Sequence, residues 1–364
     1  MADSKYYIAI GEETTRGTPE ITTLGYIPVS APVFPDPGFD DRPRVEMRGY
    51  DTQLGDLLHR RYSKAFSVTL DIPFYTEAGV TASMIGMILK HFFGTVVSTQ
   101  NAATGQYAHM FYRVADPFAA GNLGTKALTL CQFISQGADV YRYPWFGARV
   151  KSITFEQEVG QQLKMTVEFM GQGRDTGVQS AGAPAYPAEN LRCDYNQLEA
   201  YHTAVITRTG TAPDYTDLAY ASGDRLKPDK LTVKIEDGRE DILRLSGLTF
   251  PDRTRMGKLI ATVELMYDWG TFTSEFDSIG EYNSFINAIS ETDFFFEWDT
   301  GTQAGTGDNH GLLLDIPKMV RQGAVPEWDP EADPMISLTY AALLDVTTTQ
   351  YAIGAMLKNT VASI

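Results

Sequence analysis

The sequence carries two cysteines, Cys131 and Cys193, in 364 residues. Two thiols so far apart build neither a disulfide scaffold nor a zinc site, and they fit a reducing compartment. No uninterrupted apolar stretch is long enough to span a bilayer, and the first thirty residues hold no basic segment followed by an apolar run. These absences predict synthesis in the cytoplasm and no membrane insertion; an outer-membrane barrel is further disfavoured by the lack of a lipid-facing aromatic girdle. Positive charge is scarce as well. Thirty Lys and Arg stand against 46 Asp and Glu, a formal charge of −16, which argues against binding nucleic acid through its phosphates.

Recognisable reaction chemistry is also missing. His59, His91, His109, His202 and His310 are scattered outside any metal or triad pattern, and His91 reads as a packed or capping imidazole near a helix end. The glycines of Gly301 to Gly307 lack a following helix and a Lys-Ser/Thr pair, so they make a turn rather than a phosphate loop. The acidic run Glu327 to Asp333 lacks the glycine and terminal glutamate of a calcium loop. Neither cofactor nor metal is expected, and no enzymatic activity. The alternative reading is a carbohydrate-binding or carbohydrate-cleaving β-sandwich, raised by 12% aromatic content, four tryptophans and many acids.

What is present is β-patterning in two copies. From Phe66 to Phe74 apolar residues occupy every second position, with Ser67, Thr69 and Asp71 on the other face, which predicts a half-buried strand. The period then lengthens over Val80, Met84, Met87, Ile88 and Phe92, predicting a helix closed by Gly94. The pattern returns at residues 258–290. Thr262 to Tyr267 repeats the chemistry of Thr69 to Phe74, and Ser278 with Glu281 predicts a capping box for a helix burying Ile279, Tyr282, Phe285, Ile286 and Ile289. Thr15 to Tyr26 is echoed by Thr207 to Tyr220, and the interval from Arg16 to Arg208 agrees within one residue with that from Thr69 to Thr262. Matching intervals at separate stretches predict internal duplication.

The predicted fold is mainly β: two tandem antiparallel β-sandwich modules, each with one flanking helix, spanning 1–185 and 186–364 and joined through a Gly/Pro-rich linker at about 171–190. Further strands are expected at Tyr6 to Ile10, His109 to Val114, Ala127 to Ser135, and in a hairpin of Arg149 to Glu156 with Gln162 to Met170. In the second half they are expected at Lys230 to Glu236, Phe294 to Trp298, Gly311 to Pro317, Met335 to Leu344 and Gln350 to Leu357. Ser98 to Tyr107 reads as a polar loop. Phe34 to Ser63, rich in Pro, Gly, Asp and Arg, reads as a long exposed loop, which at that length suggests a role on assembly.

The chain resembles the tail tube (major tail) proteins of long-tailed bacteriophages, in their duplicated form. The resemblance rests on Ala9 to Thr14 with Gly17-Thr18, Arg48-Gly49, Phe93-Gly94-Thr95, Gly147 to Ser152, Ile316-Pro317, Tyr340 to Asp345 and Lys358-Asn359, in order along nearly the whole chain. Residues 186–227 depart from it. It implies a structural virion protein whose inner sheets join those of its neighbours around a lumen. Three duplicated chains would imitate a six-fold ring, and stacked rings would form the tube. The implied partners are the chain itself and the tape measure, tail tip and tail terminator proteins, while DNA passes through without specific binding. An acidic lining suits that passage, and Asp71, Glu168 and Glu264 are the candidate lumen residues. Asp40, Asp41, Arg42, Arg44, Arg48, Arg60 and Arg61 are the candidate ring-stacking residues.

Overall fold

The computed structural model describes residues 5–33, 35, 39–43, 59–63, 65–77, 84–101, 105–113, 126–136, 139–175, 178–179, 186, 188–242, 253–255, 257–269, 277–287, 291–327, 334–362 and 364. The fold is mainly β. The first strands are β1 (Lys5–Glu12), β2 (Gly25–Ile27), β3 (Phe39–Pro43), β4 (His59–Ser63) and β5 (Phe66–Pro73), followed by α1 (Met84–Phe93). Next come β6 (Thr95–Asn101), β7 (Gln106–Tyr112), β8 (Leu128–Gln136), β9 (Asp139–Glu158), β10 (Lys164–Gly171), β11 (Gly173–Arg174) and β12 (Val178–Gln179). β13 (Leu198–Thr211), β14 (Asp214–Leu226), β15 (Lys230–Glu236), β16 (Glu240–Ile242), β17 (Arg253–Arg255) and β18 (Ile260–Asp268) lead to α2 (Ser278–Asn287). The chain closes with β19 (Glu291–Gln303), β20 (Asn309–Glu327), β21 (Met335–Ala342) and β22 (Gly354–Asn359).

Alternation dictates the clearest strands. In β5 the side chains of Phe66, Val68, Leu70 and Ile72 are buried while Ser67, Thr69 and Asp71 are exposed, and β18 repeats this with Ala261, Val263, Leu265 and Tyr267. α1 buries nearly its whole surface. Glu77 accepts from the Met84 and Ile85 N–H groups at its start, and Gly94, at φ 93°, donates to the Lys90 carbonyl at its end, the left-handed closure that glycine permits.

One pairing order occurs twice. In the first half the hydrogen-bonded order is β5-β10-β9-β8-β1-β2, and in the second it is β18-β21-β20-β19-β13-β14, all antiparallel. Registers agree too: Leu70 lies opposite Val167 as Val263 lies opposite Tyr340. The long strands β9 and β20 each change partners along their length, pairing with β8 and β19 through their first parts and with β10 and β21 through their last. In β9 the switch falls at Gly147. Its φ of 67° and the Gln172 side chain against its Cα leave no room for a Cβ, and its N–H donates to the buried Glu13 carboxylate at 2.6 Å.

The halves are stitched together by β15, which pairs with β9 on one side and β18 on the other, and by β22, which joins β20 to β7. One sheet therefore runs β5-β10-β9-β15-β18-β21-β20 across both halves. Its apolar face packs on the outer sheets: the Phe66 ring meets Trp145 at 5.3 Å, and Trp298 Nε1 donates to Gln157 Oε1 at 2.5 Å. Burying each such large side chain stabilises the fold by about 1.5–3 kcal/mol.

Several expectations are corrected. Ser98 to Tyr107 is not a loop but the β6–β7 hairpin, and the segment after 186 holds the long β13–β14 ribbon. The 171–190 segment includes β11 and β12, both paired with β9. The last strand is Gly354–Asn359, beginning after a turn in which Gln350 has φ 64°. The cap of α2 lies one residue earlier than expected. The Asp277 carboxylate accepts from Gly280 N–H, whereas the Ser278 hydroxyl donates to the Asp268 carbonyl and Glu281 pairs with Arg321. The predicted buried stripe of α2 also fails at Ile286, which is 62% exposed.

Candidate assembly surfaces

Residues opposite each other in an antiparallel ladder point to the same side of the sheet. Asp71 lies opposite Thr166, Thr166 opposite Thr154, Thr154 opposite Lys234, and Lys234 opposite Thr262. Glu168 and Glu264 fall on the same side by the two-residue repeat. The three carboxylates predicted from separate strands thus share one face of one sheet.

That face is a ladder of charge. Glu156, in the middle, pairs with Lys164 at 2.6 Å and Lys230 at 2.9 Å, and Lys230 also meets Glu158 at 2.6 Å. The two lysines hold the Glu156 carboxyl below the usual carboxylate range. Lys234 pairs with Glu236, and Lys151 with Glu168 at 2.7 Å. The lysines are consumed by these pairs. Asp71 accepts from the Thr166 hydroxyl at 2.7 Å and Glu264 from Ser337 at 2.9 Å, and among the described residues neither has a cationic partner, nor does Asp268. The face therefore keeps a net negative charge. The Lys–Glu ladder was invisible in the sequence because it crosses from β10 through β9 to β15, strands brought together only by long-range pairing.

The predicted stacking residues fall partly outside the described residues. Asp40, Asp41 and Arg42 lie on β3 and Arg60 and Arg61 on β4, and the register sets Asp41 opposite Arg61 and Arg42 opposite Arg60. Arg44 and Arg48 lie outside the described residues. The stretch expected as a loop thus contains a two-stranded ribbon, and β16–β17, leading into β18 as β3–β4 leads into β5, is a second one.

Among the described residues no group of His, Cys, Asp and Glu is placed to hold a metal ion. Trp145 and Trp298 are buried and cannot stack on a sugar, and Trp269 packs on Tyr282 at 5.4 Å; Trp328 lies outside the described residues. His91 is buried, with Nε2 3.0 Å from Glu12, and His109 contacts the Asn359 side chain and the Val361 carbonyl. No described helix is long and apolar enough to cross a membrane.

A model of the phage tail tube protein family matches residues 4–342. The chain belongs to the phage tail tube protein family. It is accordingly a structural component of the virion tail, from a family whose members assemble with themselves into a tube. The match crosses both halves and takes in every strand of the shared sheet. Comparison with curated proteins found no match.

Proposed function

We propose that three copies of this chain close into a ring, that rings stack head to tail, and that the acidic face of the shared sheet lines a conduit for DNA. In this reading residues 1–185 and 186–364 are two copies of one tail-tube module, so three chains supply six similar wedges. The carrying observation is the shared face of Asp71, Glu168 and Glu264, on a sheet that already runs through both halves. Phosphates would bind at each step of a basic lining, whereas a negative one keeps DNA mobile. The ribbons β3–β4 and β16–β17, with Asp40, Asp41, Arg42, Arg44, Arg48, Arg60 and Arg61, supply the contacts between rings. The tape measure protein occupies the lumen before ejection, and tip and terminator proteins close the two ends. The chain is made in the host cytoplasm and performs no catalysis.

Electron microscopy of the concentrated protein, with tail initiator components present, tests this. Rings and tubes support it, and persistent globular monomers contradict it. Against the glycan-binding alternative, Trp145 and Trp298, two of its four tryptophans, are buried.

A further inference from the structure

The duplicated pairing order leaves one position filled in one half and open in the other. In the first half, the outer edge of β9 from Ser152 to Glu158 is covered by β15. The corresponding part of β20, Arg321 to Glu327, pairs with β21 on one side, and among the described residues no strand covers its other side. The counterpart of β15 is identifiable from the register. β15 precedes β18 and pairs with it, Thr232 opposite Glu264. The segment preceding β5 does the same at one point, where Ser30 N–H donates to the Asp71 carbonyl at 2.9 Å. Val29 and Val33 pack on the core as Leu231 and Ile235 do.

Resting on the ring reading above, we infer that Pro28–Pro32 of one copy completes the open edge of β20 in the next, with Ser30 opposite Val325 and Ala31 opposite Ala324. The polar backbone groups support this register. Ser30 directs its N–H toward β5, so its neighbours Val29 and Ala31 direct theirs to the open side. Trp269 N–H donates to the Pro334 carbonyl, so by alternation Ser337 turns its backbone groups away from β18 and toward Val325, and Ala324 and Pro326 present theirs outward. Val325 is 60% exposed and Ser30 and Ala31 are exposed. Pro28, Pro32 and Pro326 shorten both edges, which limits pairing to a few rungs and disfavours promiscuous strand addition.

A second feature points to the same partner. Beyond β15 the chain runs into Asp237 and Arg239, and Arg239 donates to the carbonyls of His91 and Phe92 at the end of α1. Phe92 is fully buried there. The equivalent end of α2 leaves Ile286 62% exposed, an apolar side chain open to a neighbouring copy.

The test is disulfide cross-linking of assembled protein. Ser30→Cys with Val325→Cys models a non-hydrogen-bonded antiparallel pair, whose Cα separation of about 4.5 Å is within disulfide reach. Thr232→Cys with Glu156→Cys is the in-chain control, and Ser30→Cys with Glu327→Cys is the shifted pair. The native Cys131 and Cys193 are buried. The expected result is that oxidised tubes of the first variant run as covalent dimers and trimers, the in-chain control as monomers, and the shifted pair largely as monomers. Tubes that form without cross-linking at Ser30 and Val325, or that cross-link equally at the shifted pair, overturn the inference and leave the tube reading standing. Failure of the unmodified chain to form rings overturns both. As a second variant, Ala324→Pro removes an N–H directed to the open side from a residue that packs partly on the core; with circular dichroism matching that of the unmodified monomer, tubes should be abolished, and tubes at the unmodified level would count against the seam.

Discussion

Removing the carboxylate of Asp237 should destabilise the subunit more than any surface change. Asp237 is fully buried where the two halves meet. Its carboxylate takes Arg113 Nη2 at 2.7 Å, the Arg239 guanidinium, and the Arg239 backbone N–H at 3.0 Å. Both guanidiniums lie over the Phe92 ring, 5.9 Å from its centroid, and Arg239 also caps the end of α1. Asp237→Ala leaves two buried cations without their shared anion, a loss of about 3–5 kcal/mol for breaking a buried pair. By contrast Asp71→Ala, which removes one exposed hydrogen bond, should stay within about 0.5 kcal/mol. Urea unfolding of the unassembled subunit, followed by circular dichroism, reads the difference as a midpoint shift of roughly 1 M. Asp237→Ala combined with Arg239→Met should recover part of the loss, since one stranded charge is gone. A shift no larger than that of Asp71→Ala would refute the idea that this cluster holds the halves together.

Burial raises the Glu297 carboxyl to about 7; Lys358 opposes the shift, and Asp299, Glu199 and Asp217 add to it. The folded pKa lies above the unfolded one, so stability is full below about pH 4.5 and falls as pH rises toward 7. Glu297→Gln should flatten that slope and gain up to about 3 kcal/mol at pH 8, measured by urea unfolding at pH 5 and 8; an unchanged slope would show that Glu297 ionises normally. For the lumen, Asp71→Lys and Glu264→Lys should leave tubes intact and slow DNA ejection. Unchanged ejection from correctly assembled virions would remove these residues from the lining.

What the sequence made legible follows from which forces are local. β5, β10 and β18 were readable because each packs one face on the core and leaves the other polar, so alternation survives in the residues. β9 and β20 were truncated in the reading because each changes partners part-way, at Gly147 in β9, and the alternation changes phase there. β6 ends in a polar run, which read as a loop over Ser98 to Tyr107, and no strand was expected at β14, whose exposed polar residues carry little alternation. The stripe on α2 was drawn as buried because its residues are apolar, yet Ile286 stays exposed within one chain, as an interface residue would. The shared face of Asp71 and Glu264 was foreshadowed by the repeat itself. The Lys164–Glu156–Lys230 ladder and the open edge of β20 were not, since both depend on pairing between residues far apart in the chain.

Cryo-electron microscopy of the assembled protein tests the central claim most directly. The account predicts rings of three chains with six similar wedges and the face bearing Asp71 and Glu264 toward the lumen. Rings of six chains, or a lumen lined by another surface, would contradict it.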